Sequence, residues 1–164
     1  MNNETPVSGL LLVSTVFRDG TQVPPQYTCK GENVNPPLSI INPPNGTQSY
    51  ALIMHDPDAP GGDYLHWLVW DISSKTDTIA ANSVPVGAIQ GFNDSGSMGY
   101  TGPCPPPGTG EHRYMFELYA LDTTLGLPKE TDRETLENAI ESHTIEHVMC
   151  TGLLALAKMC CRSL

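Results

Sequence analysis

Apolar positions along the first three-quarters of this chain fall in short runs with a period near two, and only the last part changes to a helical period. Residues 10 to 17 (Leu-Leu-Leu-Val-Ser-Thr-Val-Phe) form a β-branched, apolar run that predicts a first strand, ended by the turn signal Arg18-Asp19-Gly20. Between Thr21 and Pro44 the prolines at 24, 25, 36, 37, 43 and 44 exclude a sustained helix and leave turns and short edge strands. Asn45-Gly46 turns the chain into an apolar run at 50 to 55, and a second run covers 67 to 72. Residues 73 to 90 are polar and loop-like, with a short strand expected at 88 to 90. From 113 to 121, Tyr114, Phe116, Leu118 and Ala120 alternate with Met115, Glu117, Tyr119 and Leu121. Both faces are largely apolar, as in a central strand covered on two sides.

Two helices are expected after that. Thr131 and Glu134 have capping-box spacing, and Leu136, Ala139, Ile140 and His143 follow as one stripe. A second stripe runs through Ile145, Val148, Met149, Gly152, Leu153, Leu156 and Met159. Strands first and helices last predict a mostly β protein, a helix-decorated sandwich, with residues 1–164 as a single domain.

Charge narrows the classes of partner. Eight basic and eighteen acidic residues give a formal charge of −10 and a pI near 4.7, which disfavours nucleic acid and anionic lipid surfaces. No apolar run is long enough to cross a membrane, and Glu4 ahead of Leu10–Val13 with no basic stretch does not resemble an export signal. The five cysteines (29, 104, 150, 160 and 161) are odd in number and form no CxxC pair. Reduced thiols and a cytoplasmic location are therefore expected, with neither a disulfide nor structural zinc.

Candidate chemistry gathers in two stretches. The first is Asp56-Pro57-Asp58-Ala59-Pro60 with Tyr64-Leu65-His66-Trp67 just after it. Proline keeps this segment out of a helix, so it forms a stiff loop between two strands. Taken singly, either Asp reads as a turn-former. The second stretch is Gly99-Tyr100-Thr101-Gly102-Pro103-Cys104-Pro105 to Gly108, then His112-Arg113-Tyr114. If the runs at 50–55, 67–72 and 113–121 are neighbours, both stretches meet at one rim. An Asp beside a His favours imidazolium and fixes which nitrogen faces outward. Such histidines, with amides of the glycine turn and the Tyr114 hydroxyl, make a compact anion site. No Walker lysine follows, so this is not a nucleotide loop. His55 reads as packed or solvent-facing, and His143 and His147 as helix surface. Arg113 can pair with Asp94 or Asp58, and Cys104, wedged between prolines, lacks a visible activating base.

These motifs closely resemble the phosphatidylethanolamine-binding protein family, which includes Raf kinase inhibitor protein. The resemblance rests on Asp56-Pro57-Asp58-Ala59-Pro60, His66-Trp67, Gly99 to Pro106 and His112-Arg113-Tyr114. Asn93-Asp94-Ser95-Gly96, Phe17-x-x-Gly20 and Pro36-Pro37-Leu38 extend it over nearly the whole chain, and Cys104 and the short loop after Pro60 look like the bacterial and archaeal branch. It implies a sandwich of a large and a smaller sheet with C-terminal helices. It also implies a rim pocket whose ligand-binding residues here are Asp56, Asp58, Pro60, His66, Gly102, Pro103, His112 and Tyr114. Family pockets take phosphate, acetate or phosphoethanolamine-type headgroups, and members often bind kinases or proteases. Two departures, Ile40-Ile41 after Leu38-Ser39 and the stretch Met149–Leu164, bear on packing and partner specificity.

The expected function is thus non-catalytic binding of a small anion or phosphorylated headgroup, without metal or cofactor, regulating a kinase or protease partner. No nucleic acid or integral membrane association is expected, and a homodimer is left open. The alternative from another class is a hydrolase using Asp56, His66 and His112 as acid–base groups. A third is an inhibitor of other proteins whose pocket is vestigial.

Overall fold

The computed structural model describes residues 9–157. The strands in chain order are β1 (Leu11–Val13), β2 (Thr21–Gln22), β3 (Leu38–Ile41), β4 (Ser49–Asp56), β5 (Tyr64–Ser73), β6 (Thr78–Ile79), β7 (Ile89–Gln90), β8 (His112–Leu121) and β9 (Thr144–Leu154). The α-helix among the described residues is α1 (Arg133–Glu141). A three-stranded sheet, ordered β1-β3-β6, faces a six-stranded sheet, ordered β2-β9-β8-β4-β5-β7. Pairing is antiparallel except between β2 and β9.

The long runs β4, β5 and β8 sit side by side because both of their faces are covered. Toward the small sheet, Leu52, Met54, Trp67, Val69, Phe116 and Leu118 pack with Leu12, Leu38 and Ile40. On the other face, Ala51, Ile53, Leu68 and Trp70 pack with Leu136 and Ile140 of α1. Each large aliphatic side chain buried this way contributes about 1.5–3 kcal/mol. The mostly β sandwich of a large and a small sheet is therefore present.

Three expectations about elements are corrected. The first strand is β1 alone, because Ser14 breaks it. Its hydroxyl donates to the Pro37 carbonyl (2.6 Å) and accepts the Val16 N–H (3.3 Å), turning the chain out of the sheet. The second C-terminal helix is instead strand β9, paired along β8 from His112↔Leu154 to Leu121↔Thr144. Its apolar residues mimic a helical stripe, yet Thr144, Ile145, Val148 and Thr151 are β-branched. Gly152 lies where β2 pairs alongside, and a Cβ there would run into Val23. Met159, the last residue of the supposed stripe, lies outside the described residues. Finally, α1 is capped by Asp132, whose carboxylate accepts the Thr135 N–H at 2.8 Å. Thr131 instead donates its hydroxyl to the Pro128 carbonyl.

Candidate functional site

Antiparallel pairing puts the end of β4 and the beginnings of β5 and β8 at one rim of the large sheet. Alternation carries Asp56 onto the face of Leu52 and Met54, and His112 and Tyr114 onto the face of Phe116 and Leu118. His66 would point away from that face if β5 were regular. It is not regular: Met54 pairs with Trp67 and His55 with Leu65, so His66 opposes no residue on β4. This bulge re-aims the imidazole toward the rim cluster. The His66 ring stands edge-on to Tyr114 (centroids 5.3 Å apart), and the His112 ring is stacked on Tyr114 at 6.4 Å.

The hydrogen bonds assign most of the protons. His112 Nδ1 donates to Asp56 Oδ2 at 2.8 Å, with both side chains almost wholly buried. Asp56 Oδ1 accepts the Asp58 N–H at 2.8 Å. His112 Nε2 lies 2.9 Å from the Thr109 hydroxyl, which donates its single proton to the Pro106 carbonyl at 2.7 Å. The proton roles along the Nε2–Thr109 contact follow the imidazole tautomer. His66 differs. Its Nδ1 donates to the Thr101 carbonyl at 2.7 Å, while Nε2 has no hydrogen-bond partner. Burial, the largest influence, moves its pKa below the ordinary 6.5, against the opposing effects of the Thr101 bond and Asp56. His66 is thus neutral near pH 7 and presents a lone pair.

Tyr114 is wholly buried, and its hydroxyl makes no hydrogen bond. It lies beside the Asp56 carboxylate and the Cys104 main chain without closing a bond to either, and burial followed by Asp56 keeps the phenol protonated.

Of the eight candidate binding residues, Asp56, His66, His112 and Tyr114 converge. Asp58 faces outward from the same loop and is clasped by Arg113, which gives Nε and Nη2 contacts and a main-chain N–H, each at 2.9 Å. Those hydrogen bonds hold the Asp58 carboxyl down at about 2. Pro60 is exposed on the loop and shares no hydrogen bond with the cluster. The Gly102 N–H, expected to face an anion, is committed to Asn33 Oδ1 at 2.7 Å. A Cβ on Gly102 would lie 2.5 Å from both Asn33 Oδ1 and the Tyr27 carbonyl, so glycine is needed for close approach of the two segments. Pro103 is buried, and its carbonyl accepts the Cys29 N–H at 3.1 Å.

The group that residue-by-residue reading missed is the Cys104 N–H, which lies against Tyr114 and has no main-chain partner among the described residues. Its neighbours in Pro103-Cys104-Pro105-Pro106-Pro107 have no N–H to offer, and that run is the one signal the sequence held. Cys104 is joined to Cys29 by a disulfide, which corrects the expectation of free thiols throughout. The two loops are brought together by Gly102 and Pro103, a proximity invisible at a separation of 75 residues. The bond removes one of the two grounds for expecting a cytoplasmic location, the reduced thiols. Cys150 is free and buried, with its thiol pushed up to about 11, while Cys160 and Cys161 lie outside the described residues.

A second charged cluster occupies the outer face, under α1. His55 Nδ1 contacts Asp63 (2.7 Å) and Nε2 contacts Glu117 (2.8 Å). Arg133 of α1 pairs with Asp63 at 2.9 Å, and His147 approaches Glu117 at 3.3 Å while stacking on Tyr119. His55 is thus packed and paired. His147 lies on β9 rather than a helix, and His143, just past α1, pairs with Asp122. Among the described residues no group of three or more His, Cys, Asp or Glu is arranged to hold a metal. No helix among them is long and apolar enough to cross a membrane. A depression of about 340 Å³ lies near the site loop, lined by Asn33, Asn82, Gln90 and Tyr100, but it contains none of the cluster's charged groups.

The comparisons agree with this arrangement. A UPF0098 protein of Pyrococcus horikoshii is 43% identical over 149 residues, covering 87% of this chain and 75% of the relative. The Mycobacterium tuberculosis protein LppC, named as a lipoprotein, is 45% identical over 119 residues, 73% of this chain and 59% of that one. The crystal structure of Chlamydia trachomatis CT736, a phosphatidylethanolamine-binding protein homolog, superposes with a TM-score of 0.84 at 34% identity, covering 89% of this chain and 97% of the other. The family model described as phosphatidylethanolamine-binding protein matches residues 13–154, a span that takes in the whole large sheet and every residue of the rim cluster. With fold, motif positions and family model in agreement, the chain belongs to the phosphatidylethanolamine-binding protein family.

Proposed function

We propose that the rim cluster binds a small anion or phosphorylated headgroup without turning it over. The observation that carries this reading is the Tyr114 hydroxyl, wholly buried and without a partner beside the Cys104 N–H. Leaving such a hydroxyl unsatisfied costs about 1–3 kcal/mol, and an oxyanion between them would accept from both. A non-catalytic role is supported by the state of the thiols: Cys104 is held in a disulfide and Cys150 is buried and protonated. Regulation of a kinase or protease partner through the surrounding surface is carried by the family resemblance. The disulfide and the lipoprotein relative favour an oxidising compartment over the cytoplasm. Calorimetric titration with phosphate and phosphoethanolamine tests the binding. Saturable uptake, weakened about tenfold in Tyr114→Phe, is expected; a wild-type protein that binds neither sinks the proposal.

One observation favours a hydrolase. Asp56, His112 and the Thr109 hydroxyl stand in the order of a carboxylate–imidazole–hydroxyl relay, at 2.8 and 2.9 Å. The protons run the wrong way for it. The Thr109 hydroxyl is committed to the Pro106 carbonyl at 2.7 Å, directing its proton away from His112. Ester turnover abolished by Thr109→Ala would reverse this judgement.

A further inference from the structure

The cluster offers two kinds of partner to whatever occupies it, which sharpens the ligand class and rests on the anion-binding reading above. The donors are Tyr114 Oη–H and the Cys104 N–H. The acceptors are His66 Nε2 and the Asp56 carboxylate. Nε2 must be an acceptor because its sister nitrogen is fixed as the donor to the Thr101 carbonyl, and the residue as a whole is 5% exposed. The carboxylate, 3% exposed, receives the Asp58 N–H and His112 Nδ1–H but keeps further lone pairs beside Tyr114. A bare oxyanion would satisfy the donors and press its remaining oxygens against these lone pairs. An oxyanion that also carries a proton would satisfy both sets at once.

We propose that the site selects oxyanions bearing an O–H group, phosphate and phosphomonoester monoanions, against sulfate, sulfate esters and phosphodiesters. The consequence separates the two sources of a phosphorylated headgroup. Free phosphoethanolamine is a monoester and can keep one acidic proton; the same headgroup within a lipid is a diester and has none. The intact lipid headgroup is accordingly the poorer ligand. The other charged groups near the site leave this logic unchanged, because Asp58 and Arg113 neutralise one another at its edge.

Charge and shape are matched by comparing methyl phosphate with methyl sulfate near pH 6, about the second ionisation of a phosphomonoester. Both are monoanionic there to a large extent, and only the phosphate carries a proton. Calorimetry should give methyl phosphate an affinity at least about a hundredfold above methyl sulfate, because a buried acceptor left facing an oxygen is strongly rejected. In the second arm, phosphoethanolamine should exceed glycerophosphoethanolamine by a similar factor. Asp56→Asn, whose amide can donate, should narrow the gap by admitting methyl sulfate, provided its melting curve stays cooperative. Should that variant not fold, His66→Gln, which also offers an amide donor, serves the same comparison. Equal affinities within both pairs, or a preference for sulfate or diester, overturn the proton requirement while leaving an anion site. Failure of all four compounds to bind removes the anion site itself and the selectivity with it.

Discussion

Asp56 and His112 are joined by a hydrogen bond of 2.8 Å with side chains only 4% and 2% exposed. One belongs to the end of β4 and the other to the start of β8, so the pair ties the two strands at the site. Breaking such a pair from one side leaves the survivor unsatisfied in a dry setting. Asp56→Ala or His112→Ala should each cost about 3–5 kcal/mol of stability. The double substitution Asp56→Ala/His112→Ala should cost distinctly less than the sum of the two. Urea unfolding of the four proteins measures this coupling, and additive losses would show that the two groups do not interact.

The outer cluster makes stability depend on pH. Burial lowers the His55 pKa, but hydrogen bonds to Glu117 and Asp63 outweigh it and hold the group above 6.5. A raised value means that the folded chain binds the proton more tightly than the unfolded one. The stabilisation is therefore complete below about pH 6.5 and lost as pH rises through the folded-state value. Glu117 is shifted down, chiefly by its bond to His55, so its share is lost as pH falls below the usual carboxylate range. Buried His66, with its lowered pKa, acts in the opposite sense over the same window, so the His55 share is read by difference: His55→Asn should lose more melting temperature at pH 6 than at pH 8.5. A wild type and variant with parallel profiles would take His55 out of the account.

How much of this was legible follows from how local each signal is. The runs in β4, β5 and β8 were plain because burial on both faces leaves few polar interruptions. Asp56 and His112 were visible as the chemistry at the ends of those runs. β9 was not, because apolar residues at 145, 148, 149, 152 and 153 fit a helical spacing, and only the pairing with β8 decides against it. The bulge that turns His66 inward depends on one unpaired residue and leaves no mark in composition. The roles of Gly102 and Cys104 depend on Asn33 and Cys29, in a loop remote in sequence.

The Cys29–Cys104 bond closes a long loop and restricts the unfolded chain, an effect worth about 2–4 kcal/mol. Cys29→Ser/Cys104→Ser should lower the urea midpoint and steepen the slope, because the denatured chain without the cross-link exposes more surface. Cys104 is exposed, so a dithiol reductant should reach the bond in the folded protein. Peptide mapping without reduction should recover 29 and 104 linked; recovery of both as free thiols would contradict the pairing.

Gly102→Ala joins the fold to the site. The added Cβ would meet the Tyr27 carbonyl at 2.5 Å, a main-chain atom that cannot swing aside, as well as Asn33 Oδ1. The segment must move away, stretching the Gly102–Asn33 hydrogen bond of 2.7 Å and displacing the neighbouring Cys104 N–H. Overpacking of this kind costs about 1–3 kcal/mol. The same shift spoils the alignment of Cys104 with Tyr114, so phosphate affinity should fall even at temperatures where the variant is fully folded. Gly110→Ala supplies the control: a Cβ at Gly110 meets nothing, and its positive φ of 83° adds strain without touching the cluster. Calorimetric phosphate titrations on both folded variants separate the effects. Weakened binding in Gly102→Ala but not in Gly110→Ala is the expected result, and wild-type affinity in Gly102→Ala would show that the position of the Cys104 N–H does not matter to the ligand.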